Sequence, residues 1–259
     1  MRGLIIAVEL ATGFAYTGLG VLSAFEMMRQ RSTLGRSQFG LSFMFMAFTC
    51  GPHHLAMALA TFGSHRQPTG PELLALVIGM IPGVIFVALR VEALLGGPGD
   101  RALWFSAAFL PATTALIGVV GGGVVVTMYR GASQIDRPLL LVNAVLGTSY
   151  LMVGWYIIAT QLRRFGAPDY WSLSGVSLGL IFPTCALGHA VHVLAVTHHA
   201  TAGWPRTLIV AIDIVGLPAS IWFLTVVRRL YHEALSDWNR RPLVGLGASP
   251  NRLAPWDAR

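Results

Sequence analysis

Two apolar stretches of the sequence carry cysteine and histidine at helical spacing. The first contains "TCGPHH", residues 49–54, and the second contains "TCALGH", residues 184–189. Residues three, four and seven apart share one face of an α-helix, so each stretch predicts a stripe of metal ligands. The stripes consist of Cys50, His53 or His54, and Met57 in the first stretch, and Cys185, His189 and His192 in the second. His53 and His54 lie about 100° apart around a helix, so we expect only one of them to join its stripe.

Thiol, imidazole and thioether ligands favour copper first, then zinc, with iron as a further choice. A second interpretation is haem b, with His54 and His189 as axial ligands and the cysteines unused. The glycine run at 118–126, "GVVGGGVVV", would then admit a flat macrocycle. Two further interpretations stay open: a disulfide between Cys50 and Cys185, and a purely structural role in helix packing.

The composition places these stretches in a membrane. Of the 259 residues, 54% are hydrophobic and 11% are charged, whereas soluble domains carry about 25% charged residues. A membrane-spanning helix needs about 20 mostly apolar residues. Seven segments meet this requirement: 3–28, 37–62, 72–96, 102–128, 138–162, 171–197 and 205–230. The partner is therefore a lipid bilayer, and the net charge of +7, which is concentrated in short loops and the tail, does not indicate nucleic-acid binding.

An internal repeat relates the two halves of the chain. The second span aligns with the sixth, and the first aligns with the fifth, where Glu9 falls on Asn143. The third and seventh spans share little beyond a proline. The matched pairs are Ser37 with Ser172, Gly40 with Gly175, Ser42 with Ser177, Thr49 with Thr184, Cys50 with Cys185, His54 with His189, Gly13 with Gly147, Tyr16 with Tyr150, Gly20 with Gly154, Arg29 with Arg163, and Pro82 with Pro218.

We therefore predict an all-α integral membrane protein of seven transmembrane helices, with two parallel three-helix repeats joined by a linker helix. The first repeat covers residues 1–97, the linker helix 98–131, the second repeat 132–235, and an irregular cytoplasmic tail 236–259. Parallel repeats are related by an axis along the membrane normal, which brings equivalent ligand positions together. This three-one-three layout resembles that of the SWEET sugar transporters, although the proline-glutamine signatures of that family are missing.

A second resemblance lies in the sixth span. "GHAVHVLAV", residues 188–196, resembles the last zinc-binding motif of the progestin and adiponectin receptor family and the alkaline ceramidases. The resemblance implies zinc-assisted amide hydrolysis, in which the metal activates a bound water. The spacing here is HxxH rather than HxxxH, and the third span has no aspartate.

Ionisable residues within spans usually mark functional paths. Glu9 in the first span and Asp213 in the seventh are candidates for a proton or substrate path. Arginines favour a cytoplasmic side for the first and fifth loops and the C-terminus, which places the N-terminus outside. On this topology His65, His198 and His199 form a candidate secondary site on the outer surface.

These features predict a membrane-embedded metal-binding protein of the bacterial inner membrane, which serves metal handling, redox chemistry or sensing. The alternatives are a small-solute or ion transporter and a zinc-dependent intramembrane hydrolase. Since the soluble segments are short, other subunits of a membrane complex are possible partners.

Overall fold

The chain folds into long helices. A computed structural model describes residues 1–34, 37–63, 70–103, 137–164, 171–198 and 204–238, together with the single positions 112, 115, 118 and 119. The helices in these ranges are α1 (Arg2–Leu34), α2 (Gln38–Gly63), α3 (Gly70–Leu94), α4 (Arg137–Arg164), α5 (Leu173–His198) and α6 (Trp204–Trp238). A two-residue strand, β1 (Ala102–Leu103), pairs antiparallel with β2 (Trp171–Ser172).

Six of the seven predicted spans are thus helices, and the protein is an integral membrane protein by their length and composition. Each of these six helices contains a segment of 20 to 28 residues that is apolar enough to cross a bilayer. The predicted fourth span, 102–128, begins at β1, and the rest of it lies outside the described residues except at the four single positions.

Two helices are longer than the sequence predicts. We expect the first span to end at 28 and the seventh at 230, but α1 continues to Leu34 and α6 to Trp238. Their apolar segments end at Arg29 and His232. Arginine is a good helix former, so a helix that leaves the apolar layer can continue through its flanking charged residues.

Polar and apolar side chains are arranged as a bilayer requires. Large apolar side chains such as Phe14 and Phe62 are 64% and 72% exposed, and these face the surroundings. Glu9 and Asp213, in contrast, are each only 2% exposed. A lipid environment accounts for this pattern, because hydrocarbon solvates apolar side chains and excludes unpaired carboxylates.

Side-chain contacts at the helix ends fix the relative directions of the first three helices. Arg2, at the start of α1, donates to the carbonyls of Thr61 and Phe62 at the end of α2, so these helices are antiparallel. Arg90, near the end of α3, forms an ion pair with Glu26 in the last third of α1. The helices α1 and α3 therefore run in the same direction.

Equivalent hydroxyl groups cap α2 and α5. The Ser37 hydroxyl accepts a hydrogen bond from the Gly40 amide at 3.0 Å, and the Ser172 hydroxyl accepts one from the Gly175 amide at 2.9 Å. Each serine precedes the first turn of its helix, where the backbone amides have no partner within the helix. The two ligand-bearing helices therefore begin at matching positions.

Helix packing is also closest at small residues. The helix α1 packs along α2, α4 packs along α5, and between these groups α2 contacts α6 and α3 contacts α5. A Cβ on Gly51 would lie 2.6 Å from the backbone nitrogen of Thr17 and 3.0 Å from the carbonyl oxygen of Gly13. Because backbone atoms cannot move aside as side chains do, this contact fixes the approach of α1 to α2.

The Gly51 contact predicts a specific loss of stability. We expect Gly51→Ala to lower the free energy of unfolding by about 1–3 kcal/mol, the usual cost of overpacking. Gly18→Ala in α1 is the matched control, because a Cβ there would have nothing within 4 Å. Thermal unfolding of both variants in detergent measures the difference. Equal melting temperatures for the two variants would show that the contact does not limit packing.

Candidate functional site

The two cysteines meet between α2 and α5. The Sγ atoms of Cys50 and Cys185 are 3.6 Å apart and both are free thiols. The structure therefore contains a dithiol, and not the disulfide that the sequence also allows. Cys185 donates to the Tyr16 hydroxyl at 3.6 Å, and this hydroxyl donates to the Gly79 carbonyl at 3.1 Å.

His54 completes a group around the thiols. Its Nδ1 lies 2.6 Å from Oε2 of Glu9, so the Nδ1–H group of the imidazole donates a hydrogen bond to the carboxylate. Nε2 is then the nitrogen that remains available to a ligand. One ligand atom each from Cys50, His54 and Cys185 lies within 4.8 Å of the other two. We call these three residues the thiol cluster.

His189 has an environment that matches that of His54. Its Nδ1 donates to Oδ1 of Asn143 at 2.6 Å, just as the Nδ1 of His54 donates to Glu9. The Tyr150 ring lies 5.4 Å from the His189 ring, between centroids, and the Tyr16 ring lies 5.6 Å from the ring of His54. Each histidine therefore has a polar side chain bonded to its Nδ1 and a tyrosine ring packed beside its imidazole.

The Asn143 amide extends this arrangement into a chain across four helices. Its Nδ2 donates to Oδ2 of Asp213 at 3.2 Å and to the Leu139 carbonyl at 3.0 Å. The other carboxylate oxygen, Oδ1, accepts from Nδ1 of His53 at 2.7 Å. His53, Asp213, Asn143 and His189 are thus connected in one buried series of hydrogen bonds.

His192 joins this second group of imidazoles. Its ring centroid lies 5.4 Å from that of His53, and the His189 centroid lies 4.9 Å from that of His53. Ligand atoms of His53, His189 and Asp213 lie within 4.8 Å of one another. We call His53, His189, His192 and Asp213 the histidine cluster.

The residues of both clusters, apart from Asp213, line one small cavity. Its volume is about 20 Å³, which is enough for about one water molecule or one ion. The lining contains every residue of the two predicted ligand stripes: Cys50, His53, His54, Met57, Cys185, His189 and His192. The expectation that only one of His53 and His54 faces this region is wrong. The helix α2 is covered on several sides, by α1 and by α6, so a wide sector of its surface faces the interior.

Two site residues were not predicted as such by the stripes. Asn143 aligns with Glu9 in the repeat, and this alignment is the signal that identifies it. Glu72 lines the cavity and is 5% exposed. In the sequence it is the first residue of the predicted third span, a position where a charged residue is common. Helical periodicity within one span cannot predict that the first turns of α3 line a cavity formed with other helices.

The structure describes only some of the other predicted features. Glu9 and Asp213 are buried and bonded to His54 and His53, as described above. His65 and His199 lie outside the described residues, and so does the side chain of His198. Of the glycine run at 118–126, only residues 118 and 119 are described.

The hydrogen-bond chain predicts a large effect of a single amide. Asn143→Leu has a similar volume but leaves Nδ1 of His189 without its acceptor and Oδ2 of Asp213 without its donor, so we expect a loss of about 1–3 kcal/mol in stability. Thr148→Val on the same helix is the control, since its hydroxyl donates only to the Ala144 carbonyl one turn away. Denaturation in detergent compares the two. A stability loss no larger for Asn143→Leu than for Thr148→Val would contradict the prediction.

Comparison of the chain with protein-family models, with curated proteins and with solved structures found no match. The functional interpretation therefore depends on the side chains themselves. These are two thiols, four imidazoles and three carboxylates within one helical bundle.

Proposed function

We propose that this protein binds a copper ion inside the membrane, at the thiol cluster, and serves metal handling. The observation that carries the proposal is the convergence of two thiols and one imidazole, with ligand atoms within 4.8 Å of one another. The imidazole is oriented by Glu9 at 2.6 Å. Metal-binding histidines commonly donate their second ring N–H to a carboxylate in this way, which fixes the tautomer and the ring direction.

The ligand types favour copper over zinc. Thiolates and thioethers select Cu(I), and Met57 adds a thioether to the lining of the same cavity. Structural zinc sites are almost always four-coordinate, whereas the thiol cluster offers three ligands. Three soft ligands suit Cu(I), which is stable at low coordination number.

The size of the cavity supports bare metal ions rather than a larger ligand. A volume of about 20 Å³ accommodates about one water molecule, so an ion fits without any movement of the helices. A haem between His54 and His189 would require the Cys50 and Cys185 thiols, now 3.6 Å apart, to separate. An organic solute would require the same separation, so the cavity favours a metal ion over a sugar-sized substrate.

The cavity also supports exchange of the ion with one side of the membrane. Its lining extends from Cys50 and Cys185 to Glu72, which is the first residue of the apolar segment Glu72–Leu94. We propose that the ion enters at this end of the cavity, and for this reason we favour metal handling over a sealed redox centre.

We further propose that the helices form two parallel three-helix halves in a three-one-three layout, with residues 98–131 as the linker. Matched geometry supports this arrangement: His54 with Glu9 corresponds to His189 with Asn143, both at 2.6 Å. The contacts of α2 with α6 correspond to those of α5 with α3. A twofold axis between the halves would pass close to the contact of the two thiols.

Copper binding gives a direct test. Protein loaded with Cu(I) under anaerobic reducing conditions and then desalted should retain one copper ion per chain, measured by elemental analysis. Cys50→Ser and Cys185→Ser should each abolish retention, and Glu9→Gln should weaken it by about 10–100-fold because the orienting partner is altered. Thr49→Ser is the control, because it preserves the hydroxyl bond to the Met46 carbonyl beside Cys50. Wild-type protein that retains no copper, or serine variants that retain it fully, would refute the proposal.

The arginine distribution supports an inner-membrane topology with the N-terminus outside and the C-terminus in the cytoplasm. Arg228 and Arg229 lie near the end of α6 and Arg163 and Arg164 at the end of α4, so both ends are expected on the cytoplasmic side. Fusions after residue 238 should therefore be fluorescent with green fluorescent protein and inactive with alkaline phosphatase. The opposite pair of results would reverse the orientation.

A further inference from the structure

The histidine cluster is separate from the thiol cluster in both its ligands and its supporting bonds. The thiol cluster uses His54, which is supported by Glu9 on α1. The histidine cluster uses His53 and His189, which are supported by Asp213 on α6 and Asn143 on α4. We propose that the histidine cluster is a second metal site, which binds a divalent transition-metal ion through nitrogen. It goes beyond the proposed copper site and adds a second ion of a different class.

The hydrogen-bond chain fixes which nitrogens face this ion. Oδ1 of Asn143 accepts from His189, and Nδ2 of Asn143 donates to Asp213, so this part of the chain donates towards the carboxylate. Asp213 in turn accepts from Nδ1 of His53. Both imidazoles therefore carry their proton on Nδ1, and Nε2 of each keeps a lone pair for a metal ion. A carboxylate or amide behind each metal-binding histidine is the usual outer shell of such sites.

The ring spacing fits shared coordination. Imidazoles that bind one tetrahedral ion at about 2.0–2.1 Å have ring centroids about 5 Å apart. The centroid of His53 lies 4.9 Å from that of His189 and 5.4 Å from that of His192. All three rings line the same cavity. Three imidazoles around one cation leave a fourth position open, as in catalytic and exchangeable zinc sites.

The two clusters favour ions of different charge and different ligand preference. Nitrogen ligands suit divalent zinc, copper and iron, whereas thiolates select Cu(I). The Asp213 carboxylate, 2% exposed, places a negative charge beside His53, which compensates part of the charge of a divalent ion in a medium where isolated charges are costly. Zinc is the appropriate probe, because it has no redox chemistry and leaves the thiols reduced.

The test loads purified full-length protein in detergent with one equivalent of Cu(I) and then with Zn(II). After desalting, elemental analysis should find one copper and one zinc ion per chain. His53→Ala and His192→Ala should remove zinc and keep copper, while Cys50→Ser should remove copper and keep zinc. Asp213→Asn, which retains the shape of the side chain, should weaken zinc binding by about 10–100-fold.

His232→Ala is the matched control, since this imidazole contacts Tyr156 and Tyr231 rather than the cavity, and it should keep both metals. The zinc K-edge absorption spectrum of the unaltered protein provides a test that needs no variant to fold. It should show nitrogen at about 2.0–2.1 Å with imidazole scattering, and no sulfur at about 2.3 Å. Sulfur scattering, or copper retained without zinc, would overturn the second site and leave the copper proposal intact. Retention of neither metal would overturn both proposals.

Discussion

The structure depends on one constraint: a carboxylate buried in a lipid-embedded bundle requires a partner from another helix. Glu9 forms a hydrogen bond with His54, and Asp213 forms hydrogen bonds with His53 and Asn143. Hydrocarbon contains no water that could replace these side-chain partners, so each of these bonds also determines which helices lie side by side. The helix α2 carries both histidines and is therefore bonded to α1 on one side and to α6 on the other. The position of the thiols follows from this, because Cys50 lies one turn before His54 on the same helix.

The proposed repeat accounts for the contact between equivalent ligands, and the differences between equivalent positions account for the two separate clusters. Cys50 and Cys185 align in the sequence and touch in space. Glu9 aligns with Asn143, but only Glu9 has an ionisable side chain. Asp213 aligns with Val77 when Pro82 is matched to Pro218, so one half alone supplies this carboxylate. In a strictly symmetric bundle His54 and His189 would have identical surroundings. Here the surroundings of the thiol cluster differ from those of the histidine cluster.

Much of this site is predictable from the sequence, and the remainder is not, for a physical reason. Cys50, His54, Cys185 and His189 are rare residues in membrane spans, and helical periodicity alone predicts that each pair shares a face. The link between His53 and Asp213 joins residues on α2 and α6 that no local pattern relates. The third and seventh spans share little sequence, so the repeat does not predict which helix Asp213 faces. Pairings of this kind depend on the crossing of whole helices, and they become visible only when all the helices are placed together.

The small volume of the cavity constrains what the protein can do with its ligands. About 20 Å³ leaves room for an ion but not for a hydrated ion, which must lose its water as it enters. Soft ligands compensate this loss for Cu(I), which is weakly hydrated, better than for a hard cation. Glu72 lines this cavity together with the Cys50 and Cys185 thiols. At the proposed copper site a hard cation would favour the carboxylate and Cu(I) would favour the thiols, so the ligand types themselves would select the ion.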